Sequence, residues 1–183
     1  MYRLGHLIEG SWCEHSHPPV FERRIKGGNI TRLEVGVPAS DVNVLRTLAR
    51  CTEPPYYLLY VLVVPRGEAK AGRYQSPLLH DQQMDTFLTR FAAFFRSDGR
   101  CNLWVHSPSS NATLVWDRHN LIYAYGPAGR FEERLVPMGF RPGALKIPAP
   151  HEHYYRQECD ADATAIMSHV DWRYSELQPG DDD

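Results

Sequence analysis

The sequence predicts an α+β fold: a single domain with a mixed, largely antiparallel sheet of five to six strands and a main amphipathic helix packed on one face. Three observations carry this expectation. Residues 101–125 contain three short apolar and aromatic runs separated by two turn signals, the pattern of a β-meander. Residues 56–64, YYLLYVLVV, are apolar at both parities, as a strand covered on both faces must be. Met84, Phe87, Leu88, Phe91, Phe94 and Phe95 recur every three or four residues, so a helix over 81–96 would bury one broad stripe. With 183 residues, 43% of them hydrophobic, the chain is long enough to bury one core.

Taken in order, residues 1–29 show no sustained period and are expected to form an irregular arm ending at Gly27-Gly28. Residues 30–37 alternate, with Leu33, Val35 and Val37 on one face and Arg32 and Glu34 on the other, as in a half-exposed strand. Ser40 can cap a short helix running to Arg50, and Pro54-Pro55 prevents its continuation. Residues 65–77, rich in Gly and Arg, are expected to form a polar loop before the main helix, which Gly99 stops.

Within the meander, Ser107-Pro108-Ser109-Ser110-Asn111 makes the first turn. Asp117-Arg118-His119-Asn120 makes the second. Asp favours the start of a type I turn and Asn tolerates the left-handed conformation that closes a three-residue loop. That loop pairs Asp117 with Leu121. Leu114, Trp116, Ile122 and Ala124 then share one face, and Val115, Leu121, Tyr123 and Tyr125 the other.

Beyond the meander, residues 128–136 read as a short helix closed by Pro137 and Gly139, and 144–147 as an edge strand among prolines. Asp160 or Asp162 can cap a last helix presenting Ala163, Ile166, Met167, Val170 and Tyr174. Residues 178–183 are expected to fray. Residues 1–150 carry a charge balance of +5 and residues 151–183 one of −7, which makes 151–183 an acidic C-terminal segment. It can lie over basic surface or simply favour solubility.

The same composition excludes several classes. No apolar run approaches the roughly 20 residues of a membrane helix, and the N-terminus lacks a secretory pattern, so a cytoplasmic protein is expected. Cys13, Cys51, Cys101 and Cys159 are scattered without a CxxC, which fits free thiols. Near-neutral charge and the lack of a recognition motif argue against nucleic acid. The run Gly67 to Tyr74 has the glycine spacing of a phosphate loop, but Arg73 and Tyr74 stand where Lys and Ser or Thr are needed.

Two sets of candidate site residues remain. His15 and His17, and His151 and His153, form two His-x-His elements. Residues two apart in extended chain face one side, so His15, His17, His151 and His153 together can hold zinc or another divalent transition metal, with Cys13 or Glu152 as a further ligand. The aromatic side chains Trp104, Trp116, Tyr123 and Tyr125, with His119, form a candidate binding surface for a protein partner. Asp117 and His119 with His106 can also make an acid/base cluster, although the turn already accounts for the first two. No signature of a serine hydrolase, zinc protease or dinucleotide enzyme is present. The leading expectation is therefore a small non-catalytic binding or regulatory module, with a metal-dependent hydrolase built on the His-x-His elements as its rival.

Overall fold

Asp117 accepts the backbone N–H of Leu121 through its side chain at 2.8 Å, and the two residues also bond through their backbones at 2.9 Å. Asn120 adopts a φ of 65°. The three-residue loop is therefore formed, and it fixes the register Leu114↔Ala124, Val115↔Tyr123 and Trp116↔Ile122 expected from the turn chemistry. These contacts come from a computed structural model, which describes residues 1–26 and 30–181.

In chain order the elements are β1 (Leu4–Ile8), β2 (Ser11–Glu14), β3 (Val20–Lys26), β4 (Ile30–Gly36), α1 (Val42–Ala49), β5 (Tyr57–Leu62), β6 (Gly72–Gln75), α2 (Asp81–Arg90) and α3 (Ala92–Ser97). They continue with β7 (Cys101–Ser107), β8 (Ala112–Trp116), β9 (Leu121–Tyr125), α4 (Ala128–Leu135), β10 (Arg141–Pro142), β11 (His151–His153), α5 (Asp160–Met167) and β12 (Arg173–Ser175). The large sheet has nine strands in the order β10-β3-β4-β9-β8-β7-β5-β6-β12. It is mixed: β10 runs parallel to β3 and the other pairs are antiparallel. A second sheet, β11-β1-β2, joins the two ends of the chain.

The α+β class and the meander stand, but nine strands and a second sheet replace the expected five or six. Residues 4–26 form three strands where an irregular arm was expected, while Gly27-Gly28 lies outside the described residues. Those strands are specified by pairing with distant segments, which leaves little local period to read. Gly72–Gln75 is likewise a strand and not loop, held between β5 and β12. This removes the strand-to-helix delivery that a phosphate loop requires. Residues 144–147 are not a strand; Arg141–Pro142 makes the edge pairing instead. The last helix ends at Met167, so Tyr174 lies in β12 and not on a helical face.

The expected 81–96 helix is two helices, α2 and α3, divided at Phe91. The division leaves Phe87, Phe91, Phe94 and Phe95 fully buried together. They pack with Leu33, Val35, Leu58, Tyr60, Leu103, Leu114, Trp116 and Ile122 from one face of the large sheet, and α1, α4 and α5 add Leu45, Phe131 and Ile166 to the same core. By strand alternation the opposite face presents Arg32, Glu34, Trp104, Thr113, Val115, Tyr123 and Tyr125. Among the described residues, all five α-helices contribute to the core on that one side of the large sheet.

The acidic C-terminal segment is laid on the body through specific pairs. Arg73 donates to both oxygens of Asp181 at 2.8 and 2.7 Å, and Asn102 donates to the Asp181 carbonyl at 2.8 Å. Asp181 is therefore buried, against the expectation of a frayed tail; residues 182–183 lie outside the described residues. Asp160 accepts from Arg66 and Arg100 at 3.1 and 2.8 Å.

Candidate metal centre and adjoining cavity

The small sheet builds the site by strand parity. Cross-strand partners share a face, so Leu4↔His153 and His6↔His151 on β1 and β11, with His6↔Cys13 on β2, put His6, Cys13, His151 and His153 on one side. The His15 amide donates to the Leu4 carbonyl at 2.8 Å, which extends the ladder and places His15 on that side as well. Four histidines and a cysteine thus line one face of a three-stranded sheet.

From the large sheet, His17 and His119 meet this face. His17 precedes β3 and is buried; His119 sits in the loop between β8 and β9 and is 9% exposed. Two glycines permit the approach. A Cβ at Gly36 would meet the Cβ of His17 and the carbonyl of Pro18, both at 2.9 Å. At Gly99 it would meet the Arg3 carbonyl at 2.9 Å and the Cβ of His153 at 3.1 Å. Six of the nine histidines gather along this seam.

Within the gathering, His119, His151 and His153 each offer one nitrogen, and these nitrogens lie within 4.8 Å of one another. Their rings stand 4.9, 5.0 and 5.6 Å apart, edge to face or tilted. His119 Nδ1 donates to Asp117 Oδ2 at 3.2 Å, leaving Nε2 with its lone pair. His151 Nδ1 donates to the Pro148 carbonyl at 2.9 Å, which likewise frees Nε2. His153 Nδ1 is buried without a hydrogen-bond partner. Burial pushes the His153 imidazole down to about 3, assisted by Arg118, His119, Arg3 and His151, so the ring is neutral at physiological pH.

This donor set fits a borderline divalent cation. Zinc–nitrogen bonds of about 2.0–2.1 Å in a tetrahedron separate ligand nitrogens by roughly 3.4 Å, so small side-chain rotations close the triad. The Asp117 and Pro148 contacts orient two of the three imidazoles, as outer partners do around histidines that bind metal.

His119 also lines a cavity of about 640 Å³ on the helix-free face, a volume that suits a small molecule. Trp104, Tyr123 and Tyr125 form its aromatic walls, Arg32, Asn102 and Asp117 its polar points, and Ile147 and Gly180 its rim. The Arg32 guanidinium stacks 4.4 Å from the Tyr123 ring and is bonded to Glu34 and Tyr125. Burial, with Asp117 and Glu34 nearby, holds the Tyr123 phenol protonated well above its usual value.

The expected site residues therefore separate. Trp104, Tyr123, Tyr125 and His119 come together around the cavity, but Trp116 points into the core, fully buried, with its indole N–H donating to Asn120 Oδ1 at 3.0 Å. The ring nitrogens of His151 and His153 converge with that of His119, and not with those of His15 or His17. The N-terminal pair lies beside them: His17 Nε2 donates to the His119 carbonyl at 2.8 Å, and His15 Nε2 faces His17 Nδ1 at 3.4 Å. Asp117 has its place in the turn and also orients His119. His106 bonds Thr113 at 2.9 Å and takes no part in the triad. Comparison of the chain with protein-family models, with curated proteins and with solved structures returns no significant match.

Proposed function

We propose that this chain is a divalent-metal-dependent hydrolase. Its ion, zinc or a similar transition metal, is held by His119, His151 and His153, and its substrate is a small ring-bearing molecule seated in the adjoining cavity. One observation carries this reading: three imidazole nitrogens converge within 4.8 Å. Two of the three rings are braced through their second nitrogen. Three protein ligands leave a fourth position for water or substrate, the arrangement of catalytic zinc sites, whereas structural sites close all four.

An ion held by His119, His151 and His153 would supply activation of a water nucleophile near neutral pH. The cavity's own carboxylate is not free to act as base, because Asp117 is engaged by His119 and by the Leu121 amide. His119 belongs to both the triad and the cavity wall, so a bond presented by a molecule stacked on Trp104, Tyr123 or Tyr125 would meet the metal at that end. Arg32 supplies a cation within the cavity for an acceptor group of the substrate.

The test uses untagged full-length protein purified without added metal or chelator. Elemental analysis should find zinc or another transition metal, and hydrolysis of chromogenic aryl esters and bis(4-nitrophenyl) phosphate should be lost on chelation and restored by zinc. His153→Ala should lose the metal of this centre and the activity together. A folded His153→Ala protein that retains full metal at this centre would overturn the assignment.

A second reading, a protein-binding module, has its own observation. On the β1–β2 hairpin Leu7 stands directly opposite Trp12, and both are exposed, at 37% and 46%, beside exposed Ile8. Protein that neither carries nor takes up metal would favour that surface as the working one.

A further inference from the structure

We infer a second divalent transition-metal site, beside the first, held by His15 and His17 and completed by His6. The inference rests on hydrogen-bond direction. The His119 carbonyl can only accept, so His17 Nε2, 2.8 Å away, must carry the proton. His17 Nδ1 therefore holds a lone pair, and it faces His15 Nε2 at 3.4 Å. That separation is close to the roughly 3.4 Å between two nitrogens on one tetrahedral zinc, given bonds of about 2.0–2.1 Å. With no ion, His15 donates a hydrogen bond to His17; with one, two lone pairs converge on it.

His6 stands beside His15, from where a side-chain rotation would bring it in as the third ligand. Its ring centroid lies 4.9 Å from that of His15, and its Nδ1 is buried without a hydrogen-bond partner. It also stands opposite Cys13 on β2, so a cysteine sulfur lies on the same face of the sheet.

The site adjoins the first because His6 is opposite His151 as well as Cys13. Residues directly opposite in an antiparallel pair have Cβ atoms about 4.5–5.5 Å apart. His6 and His151 are thus neighbours, one from each donor set. Two ions side by side on one sheet face would clamp a substrate oxygen from two directions, as two-metal hydrolases do.

Zinc titration of chelator-stripped, untagged full-length protein tests the inference, with stoichiometry read by elemental analysis and folding by circular dichroism. The wild type should bind two equivalents, His15→Ala one, and His153→Ala one. Should His15→Ala fail to fold, His15→Gln, close in size, takes its place with the same expectation. A wild type that binds a single equivalent, lost in His153→Ala and kept in His15→Ala, would overturn the second site and leave the first intact. A single equivalent with the reverse pattern would support the second site and overturn the first. Loss of both equivalents in folded His15→Ala would overturn a separate second site.

Discussion

Replacing Asp117 by Asn should weaken zinc binding at the triad by about 10–100-fold, the usual cost of removing an outer partner of a ligating histidine. The structure gives the reason. Asp117 uses Oδ2 for His119 Nδ1 and Oδ1 for the Leu121 amide. Asn has one carbonyl oxygen and one NH₂, so it cannot accept at both places. If the oxygen stays with Leu121, the NH₂ faces His119 Nδ1, and His119 must shift its proton to Nε2, the nitrogen needed by the metal. Read in a His15→Ala background so that one site is observed, the loss is about 1.4–2.7 kcal/mol of binding free energy. Zinc at 100 times its Kd stabilises the fold by about 2.7 kcal/mol, but by only about 0.4 kcal/mol once the Kd rises 100-fold. For a chain of this size the zinc-induced rise in Tm should fall from about 5–10 °C to about 3–6 °C for a tenfold loss and to about 1 °C for a 100-fold loss. Chelator competition and calorimetry measure the two quantities. A folded Asp117→Asn protein with unchanged zinc affinity would refute the orienting role of Asp117.

Two further predictions concern the scaffold. Arg100 is fully buried and donates to Asp98, Glu68 and Asp160; replacing it with Met leaves the buried Asp98 and Glu68 carboxylates uncompensated. Urea denaturation should register a loss of about 3–5 kcal/mol, and a loss below about 1 kcal/mol would contradict the network. Asp85 joins α1 to α2 by accepting from Arg46 at 3.1 and 2.8 Å and from Arg50 at 2.5 Å, and the Arg46 hydrogen bonds hold its carboxyl below the usual range. A depressed folded pKa stabilises above the unfolded value of about 3.9, and that contribution disappears as pH falls through the folded value. Asp85→Asn should therefore be less stable than wild type by about 1 kcal/mol at pH 7, with the gap closing in acid; a gap independent of pH would refute the ion pairs.

What the sequence reveals and what it hides divide along the range of the interactions. The second turn of the meander is legible because Asp117 and Asn120 carry its chemistry locally, and the register follows from loop length. The strand at 57–62 is legible because both of its faces are covered. The edge strands are not. Arg173–Ser175 is exposed at every position and exists by pairing with β6, a segment about 100 residues earlier, so no alternation marks it. The break at Phe91 also lacks a local sign, since neither Pro nor Gly stands there and the apolar stripe runs through it.

The site shows the same division more sharply. That His151 and His153 share a face is readable from their spacing. That His119 is their third member is not, because its selection depends on β11 pairing with β1 and on the approach that Gly99 allows. The signal that His119 did carry was its place in a turn with an aspartate two residues before it. In the fold that same aspartate sets its tautomer.

The small sheet that carries the histidines is weakly held by apolar burial. Leu4 is its fully buried large side chain, whereas Leu7, Ile8 and Trp12 are exposed. Polar ties do much of the holding. Arg156 donates to the Tyr2 and Ser97 carbonyls and to Glu14, and the buried Arg3 donates to the Cys101 carbonyl while stacking on Trp116. The strands joined this way come from opposite ends of the chain, so the histidine face exists only once those ends have met. An ion bound across it would contribute directly to that closure, because a cation that binds the folded arrangement alone adds its binding free energy to folding. The imidazoles crowded on this face add little apolar burial, and a bound metal would supply the cohesion that the sheet's own side chains do not.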